Sequence, residues 1–162
     1  MLKKVGGLFL LSLILFLFFF PLKTNLCIRC RKGNLIKYYD LSHSTYFQIE
    51  FCHSVNRGLV KERYSIDFKS LEFYLETAWF ENYGAGMLDS VPTGVTIREE
   101  GDFLKLDFPE MRLKSIAYAA AGIANHKIIV GDEEIELFQI NPYKSSFITV
   151  EKMSIFDQIF MR

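Results

Sequence analysis

Short runs of alternating apolar and polar residues recur from residue 34 onward, and this pattern most limits the folds open to the chain. Alternation places apolar side chains on one face of a β-strand and polar side chains on the other. Turn-rich segments separate eight such runs, at 35–41, 45–53, 59–68, 71–81, 102–108, 126–130, 135–140 and 146–151. The sequence therefore predicts an all-β domain of about eight strands, folded as an antiparallel β-sandwich or barrel.

The fourth run, "LEFYLETAWFE" at 71–81, and the turn "GDEE" at 131–134 sharpen this prediction. Strict alternation places the odd-numbered residues of the fourth run, from Leu71 through Phe73 to Trp79, on one apolar face. "GDEE" lies between two alternating runs, as a tight hairpin turn does. We expect both segments to belong to antiparallel hairpins.

The N-terminus has a different pattern, because residues 5–22 form an uncharged run of 18 residues that follows Lys3 and Lys4. As a helix this run is roughly 27 Å long, just enough to cross a hydrocarbon core of about 30 Å. A cleaved signal peptide, the alternative, ends in small residues, whereas this run ends in "FLFFFPL". We predict an uncleaved single-span transmembrane anchor at residues 1–22, in contact with the bilayer through residues 5–22. Basic residues flank it on both sides and leave its orientation open.

Two further divisions follow from composition. The polar and basic segment 23–33 is interpreted as a juxtamembrane linker, and residues 34–162 as one compact β domain. Lysine plus arginine equals aspartate plus glutamate, at 19 each, and no basic arm is present. Nucleic acid is therefore not an expected partner.

The three cysteines are few and odd in number, so they cannot all pair in disulfides. Cys27 and Cys30 form a C-x-x-C pair. A zinc site would recruit Cys52 together with His53 or His43, because zinc takes four nitrogen or sulfur ligands. Ordinary reduced or acylated cysteines are the simpler interpretation, and no metal or cofactor is predicted.

The hairpin "FQIEFCHSVNRGLVKERY" at 47–64 contains the most unusual polar residues of the predicted core. A register in which paired residue numbers sum to 113 places Phe51 opposite Glu62 and Ile49 opposite Tyr64. His53 and Glu62 then become diagonal neighbours, with backbones roughly 7–8 Å apart. A carboxylate in apolar surroundings costs several kcal/mol unless it is paired and hydrogen-bonded. Glu62 must therefore have a partner or mark an opening in the core.

Three interpretations of this hairpin remain open, and in the third the assumed register is misjudged and the polar residues lie at the surface. In the first, Glu62 is bound to His53, or to the backbone of the 54–58 loop, and fixes the turn. In the second, His53, Ser54 and Glu62 face a ligand in a small pocket at the end of the hairpin. The sequence does not separate these alternatives.

Two other segments are candidate binding elements. "ENYGAGM" at 81–87 contains Gly84 and Gly86, whose backbone N–H groups could hold an anion or could simply form a turn. His126 begins the run "HKIIV", in phase with two apolar residues, as a core or edge histidine would be. A triad of Ser54, His126 and an acid lacks the G-x-S-x-G nucleophile elbow. No catalytic residue is predicted.

The segments "FCHSVNRGLVKERYSID", "LEFYLETAWFENYGAGM" and "HKIIVGDEEIEL" together resemble the bacterial family called domain of unknown function 1850 (DUF1850). The matching positions are His53-Ser54-Val55, Glu62, Gly84-Ala85-Gly86 and His126, and the resemblance covers roughly residues 34–151. Asn56 and Arg57 depart from the family pattern, as does the C-x-x-C pair.

The resemblance implies a small protein, exported or membrane-anchored, that accompanies a tripartite ATP-independent periplasmic (TRAP) transporter of the TAXI type. Its expected partners are the TRAP-type permease, the TAXI solute-binding protein, or both. The resemblance also favours an extracytoplasmic domain on a single-pass anchor in the cell membrane.

The sequence and this resemblance together predict an accessory or binding module rather than an enzyme. Its recognition patch would contain His53, Ser54, Glu62, Gly84, Gly86 and His126. One alternative is a metal-dependent or hydrolytic enzyme that uses His53 and Glu62, with or without His126. The other is a purely structural anchored domain in which the polar pair locks the hairpin.

Overall fold

A computed structural model of the chain describes residues 2–82, 92–120 and 122–161. The described residues form twelve strands and three helices. The strands of the first half are β1 Lys23–Cys30, β2 Leu35–Asp40, β3 Tyr46–Cys52, β4 Leu59–Asp67, β5 Glu72–Phe80 and β6 Thr96–Glu100. Those of the second half are β7 Phe103–Asp107, β8 Arg112–Leu113, β9 Ser115–Ala119, β10 Lys127–Val130, β11 Glu133–Glu136 and β12 Ser145–Met153. The helices are α1 Leu2–Phe19, α2 Leu137–Ile140 and α3 Ile155–Phe160.

The strands form two sheets, which pack face to face as a sandwich. The smaller sheet has the order β2-β1-β12-β9, and the larger has the order β11-β10-β3-β4-β5-β7-β6, with β8 paired to β5. One apolar core joins both inner faces, with Leu26 and Ile148 from the smaller sheet and Phe47 and Phe73 from the larger. The predicted antiparallel all-β class is confirmed. The alternative of a barrel is wrong, because the two sheets remain separate layers.

The predicted hairpin turn at 131–134 is confirmed, although its second strand is shorter than expected. Gly131 and Asp132 connect β10 to β11, and Gly131 has φ +58°, which glycine adopts without steric cost. After Glu136 the chain turns into the short helix α2 instead of continuing as a strand to residue 140.

The segment predicted as a linker, 23–33, is instead an interior strand and its turn. β1 pairs with β12 on one side over its full length from Lys23 to Cys30, and with β2 on the other side from Asn25 to Arg29. Leu26, Cys27 and Ile28 are completely buried, because both faces of this part of the strand are covered. The basic residues Arg31 and Lys32, which suggested a linker, lie in the turn that follows the strand and not in the strand itself.

β5 contains a bulge that reverses the predicted orientation of Trp79. Arg63 pairs with Thr77 but the next residue, Tyr64, pairs with Leu75, so β5 has one extra residue at this point. An extra residue shifts the alternation by one and exchanges the two faces beyond it. Trp79 therefore lies on the outer face, where the guanidinium of Arg63 is 5.4 Å from its ring centroid.

The β3–β4 hairpin has the predicted inner face, but its register differs by two residues. Glu62 lies opposite Ile49, and Phe51 lies opposite Val60, because the strands end at Cys52 and Leu59 and leave a six-residue loop at 53–58. A shift of two preserves the side-chain alternation, so the apolar residues remain inside. His53 lies outside the ladder as a result, and is not the cross-strand neighbour of Glu62 that the sequence suggested.

The helices α1 and α3 lie together at one end of the sandwich, which we call the helix end. The ring of Phe156 in α3 contacts those of Phe18 and Phe19, with centroids 6.0 and 5.1 Å apart. Lys23, the first residue of β1, pairs there with Met153, the last residue of β12.

Helix α1 has 18 residues. Within the described residues, no helix meets the length and hydropathy needed to span a bilayer.

Candidate functional site

Three segments with candidate residues meet at the end of the sandwich opposite α1. They are 53–58 between β3 and β4, 81–82 after β5, and 122–126 before β10, and we call this region the loop end. The N–H of Cys52 donates to the carbonyl of Ala124 at 2.8 Å, and Nδ2 of Asn56 donates to the carbonyl of Asn82 at 3.2 Å. Antiparallel pairing explains the grouping, because the end of one strand meets the start of its neighbour.

Glu62 is the centre of a polar cluster that joins the two sheets near this end. The hydroxyl of Tyr64, two residues along β4, donates to Oε2 of Glu62 at 2.8 Å. The hydroxyl of Tyr118, on β9 of the other sheet, donates to the same oxygen. The two hydroxyl oxygens lie 3.0 Å apart, so the three oxygen atoms form a triangle. The partners of Glu62 are therefore two tyrosines, in place of the predicted His53 or the 54–58 backbone.

Burial dominates the electrostatics of this cluster. It raises the pKa of Glu62, although the hydrogen bonds from Tyr118 and Tyr64 act in the opposite direction. Burial, followed by the charge of Glu62, raises the pKa of both tyrosines as well. Neutral donors replace only part of the water that a carboxylate loses on burial. The pKa of Glu62 consequently lies above the ordinary value of a glutamate.

His126 extends this cluster toward the loop end through aromatic contacts. Its ring stacks on Phe51 with centroids 4.9 Å apart and lies 5.1 Å from that of Tyr118. Its Nδ1 atom is buried and has no hydrogen-bond partner among the described residues. Burial lowers the pKa of His126, so the neutral imidazole is favoured. A half-buried neutral imidazole with an unsatisfied nitrogen can accept from, or donate to, a ligand.

His53 and Ser54 lie in the neighbouring loop, where His53 has a local structural task. Its Nδ1 accepts from the N–H groups of Val55 and Asn56 at 3.4 and 3.3 Å, and its carbonyl accepts from Arg57 N–H at 2.9 Å. Ser54 and Val55 are exposed at the tip. Because His53 binds its own loop and Glu62 binds tyrosines, the two residues share no hydrogen bond as an acid–base pair would.

The third candidate element begins beside this loop. A Cβ atom at Gly58 would lie 2.8 Å from both Cβ and N of Asn82, so the loop and the end of β5 approach more closely than any other residue would permit. Oε2 of Glu81 accepts from the N–H of Leu59 at 2.8 Å and holds the same junction. Gly84 and Gly86, which follow, lie outside the described residues.

The alternative zinc site is not assembled. Cys27 and Cys30 are three residues apart in β1, so their side chains point to opposite faces. Cys27 is buried against Met153, and burial, reinforced by Glu151, raises the pKa of its thiol to about 12, whereas zinc binds the thiolate. His43 is exposed toward the helix end, away from Cys52 and His53. Over the described ranges, no group of three or more His, Cys, Asp and Glu side chains could hold a metal ion.

Sequence reasoning missed Tyr118 and Phe51 as parts of the site. Both face inward, and Tyr118 alternates with Ile116 along β9, which is a weak but readable signal. What the sequence does not provide is the pairing of Tyr118 with Glu62, because these residues are 56 positions apart and lie in different sheets.

Comparison with known proteins places these segments within one family. The family model described as "Domain of unknown function (DUF1850)" matches residues 47–137, which is more than half of the chain. The match spans the hairpin with His53 and Glu62, the end of β5, Tyr118 and His126. No curated protein and no solved structure matches the chain.

Proposed function

The chain belongs to the DUF1850 family, and from this premise we propose that it is a membrane-anchored accessory module of a TRAP transporter of the TAXI type. In this proposal, residues 1–22 anchor the chain in the cell membrane and the β-sandwich lies on the extracytoplasmic side. The module binds the TRAP-type permease, the TAXI solute-binding protein, or both. The association with TRAP transporters comes from the family resemblance.

The observation that carries the proposal is the placement of the family segments at the end of the sandwich remote from α1. An anchor at the helix end would hold the loop end away from the bilayer, where a partner's soluble surface can reach it. The exposed fraction of Val55 is 62%, so an apolar side chain is available at the tip. A partner that covers this side chain would remove its apolar surface from water, which favours binding.

Within this site the residues have different tasks. Glu62 ties β4 to β9 through Tyr118 and thereby fixes the spacing of the two sheets under the loops. His126, which is half-buried at the start of β10, is the polar group proposed to contact the bound protein. Glu62 is thus a positioning residue, as in the alternative in which its polar contacts serve only to stabilise the domain.

Capture of the transporter from its native membrane tests this function. A tagged full-length chain is chemically crosslinked in cells that express a TRAP transporter, and co-purified proteins are identified in wild type, His126→Phe and Lys69→Ala. Phenylalanine retains the stack on Phe51 but removes the ring nitrogen, and Lys69 is an exposed control in the β4–β5 turn. We expect the permease or solute-binding protein with wild type and with Lys69→Ala, and a marked decrease with His126→Phe.

Two outcomes would contradict the proposal. If no transporter component is captured from cells shown to express one, the accessory role is wrong. If His126→Phe captures the transporter as well as wild type does, then the loop end does not use this histidine for binding.

A further inference from the structure

A second site lies at the end of the smaller sheet, where a cavity of about 520 Å³ opens between the β1–β2 turn and the segment from α2 to β12. Arg31 and Lys32 line it from the turn, and Lys144 lines it from the opposite segment, together with Tyr143 and Asn141. No acidic side chain is among the described residues that line it. Its volume falls within the range of about 300–1,000 Å³ that is usual for small-molecule sites.

The three cations of this cavity have no carboxylate partner within the described part of the chain. Among the described residues, no ion pair or hydrogen bond joins the side chain of Arg31, Lys32 or Lys144 to a carboxylate. Arg29, only two residues before Arg31, differs, since it binds Glu151 with both Nε and Nη2. Three like charges around one concavity create a positive potential that attracts an anion.

The wall with Arg31 and Lys32 is fixed by the turn that carries it. The N–H of Gly33 donates to the carbonyl of Cys30 at 2.8 Å, and Nη1 of Arg29 donates to the carbonyl of Gly33 at 2.8 Å. These two hydrogen bonds fix the backbone of the turn that carries Arg31 and Lys32.

The opposite wall is fixed by a buried asparagine and a strained tyrosine. Nδ2 of Asn141, whose side chain is buried, donates to the carbonyl of Ser145 at 3.1 Å and to Oγ of Ser146 at 3.0 Å. Tyr143 has φ +59°, a conformation that is costly for a residue with a Cβ, and its N–H donates to the carbonyl of Ala120 at 3.0 Å. Strain of this kind persists where the surrounding structure requires it, often at binding sites.

We propose that this basic cavity binds a small anion with at least two carboxylate or phosphate groups. A single negative charge would leave two of the three cations uncompensated, whereas a ligand with two or three negative charges compensates most or all of them. The rigid walls limit the entropy lost on binding, and the exposed ring of Tyr143 offers an apolar surface beside the charges. This site is separate from His126 and Glu62 and does not depend on the transporter role.

Calorimetric titration of the detergent-solubilised full-length chain with citrate and, separately, with inorganic pyrophosphate tests this site at low ionic strength. The two probes distinguish a carboxylate ligand from a phosphate ligand. The site variant is Arg31→Ala with Lys144→Ala, and the control is Lys69→Ala with Lys114→Ala. All four side chains are exposed, and both variants lose two positive charges, so they change the net charge equally.

We expect wild type and the control to bind at least one probe with the same affinity, and the site variant to bind it about tenfold or more weakly. The proposal is wrong if neither probe binds to wild type. It is also wrong if the two double variants lose equal affinity, because the anion would then respond only to overall charge.

Discussion

Glu62 and Glu151 are two partly buried carboxylates of the same sandwich, and different kinds of hydrogen-bond donor replace the water that each has lost. Glu62 accepts from the neutral hydroxyls of Tyr64 and Tyr118. Glu151, in the smaller sheet, accepts from the guanidinium of Arg29, with Nε–Oε1 2.8 Å and Nη2–Oε2 2.6 Å. The first cluster connects the two sheets, whereas the second connects neighbouring strands of one sheet.

The difference shows that burial and the charge of the partner together set the direction in which the pKa of each carboxyl group moves. Burial raises the pKa of Glu62, because neutral donors do not compensate for it. The hydrogen bond from Arg29 lowers the pKa of Glu151 despite burial. Neutral hydroxyl partners thus accompany the raised pKa of Glu62 between the two sheets, and a charged partner accompanies the lowered pKa of Glu151 between neighbouring strands.

The largest stability effect is expected for Glu62→Ala. This variant removes the common acceptor of two largely buried tyrosine hydroxyls and should lower the free energy of unfolding by about 1–3 kcal/mol. Glu62→Gln, the matched control, retains an acceptor oxygen and should cost much less. Chemical denaturation of the detergent-solubilised chain measures both variants. An equal loss in the two would mean that the negative charge, rather than the acceptor, is required.

A somewhat smaller effect is expected for Arg29→Ala. It leaves Glu151 with only the hydroxyl of Thr149 as a side-chain donor and removes the donor to the carbonyl of Gly33. Because the pair is still partly exposed, we expect a loss of about 1–2 kcal/mol. Arg29→Lys keeps the charge but not the two-pronged geometry, so it should restore only part of the loss. If Arg29→Lys restored the full free energy of unfolding in the same denaturation experiment, charge attraction alone would explain the stabilisation and the two-pronged geometry would not matter.

The pH dependence of stability should separate the two carboxylates by sign. The folded-state pKa of Glu62 is raised, so its contribution is complete below the ordinary glutamate pKa and is lost as the pH rises through the raised value. That of Glu151 is lowered, so its contribution is present above the ordinary value and is lost as the pH falls. Relative to wild type, Glu62→Gln should therefore gain stability as the pH rises from 4 to 8. Glu151→Gln should lose stability relative to wild type over the same range. If the stability of both variants changed with pH in the same direction, the contrast between the two carboxylates would be wrong.

The smallest effect is expected for His126→Phe, which should change stability little at pH 8. Burial lowers the pKa of His126, so wild type must charge a group that the fold keeps neutral once the pH falls below the ordinary histidine range. The variant should consequently be more stable than wild type in acid. A thermal-unfolding series from pH 8 to pH 5 checks this, and an unchanged difference across the series would mean that His126 titrates as in water.

Parts of this account were predictable from the sequence because they depend on local alternation. The inner faces of β3 and β4 are such a case, and the expected burial of Glu62 followed from them. The register did not follow, since pairings that differ by two residues bury the same side chains and only the six-residue loop distinguishes them. The alternation of apolar and polar residues in 71–81 also gives no sign of the bulge that turns Trp79 outward.

Other parts depend on contacts between distant segments. Tyr118 contacts Glu62 from the opposite sheet, and the residues adjacent to either one in the sequence do not predict this hydrogen bond. The basic end of β1 dominates its composition and predicts a linker, although Leu26 and Ile28 are completely buried in the core.

The most direct test of the central claim, that the loop end is the recognition surface, compares its tip with the opposite end. A photo-crosslinking amino acid replaces either Val55, at the tip of the 53–58 loop, or Lys69, in the β4–β5 turn toward the helix end, in the full-length chain within native membranes. The account predicts crosslinks to the TRAP permease or the TAXI solute-binding protein from position 55 and none from position 69. Crosslinks to the transporter from position 69 alone, or from neither position in cells that express it, would contradict the claim.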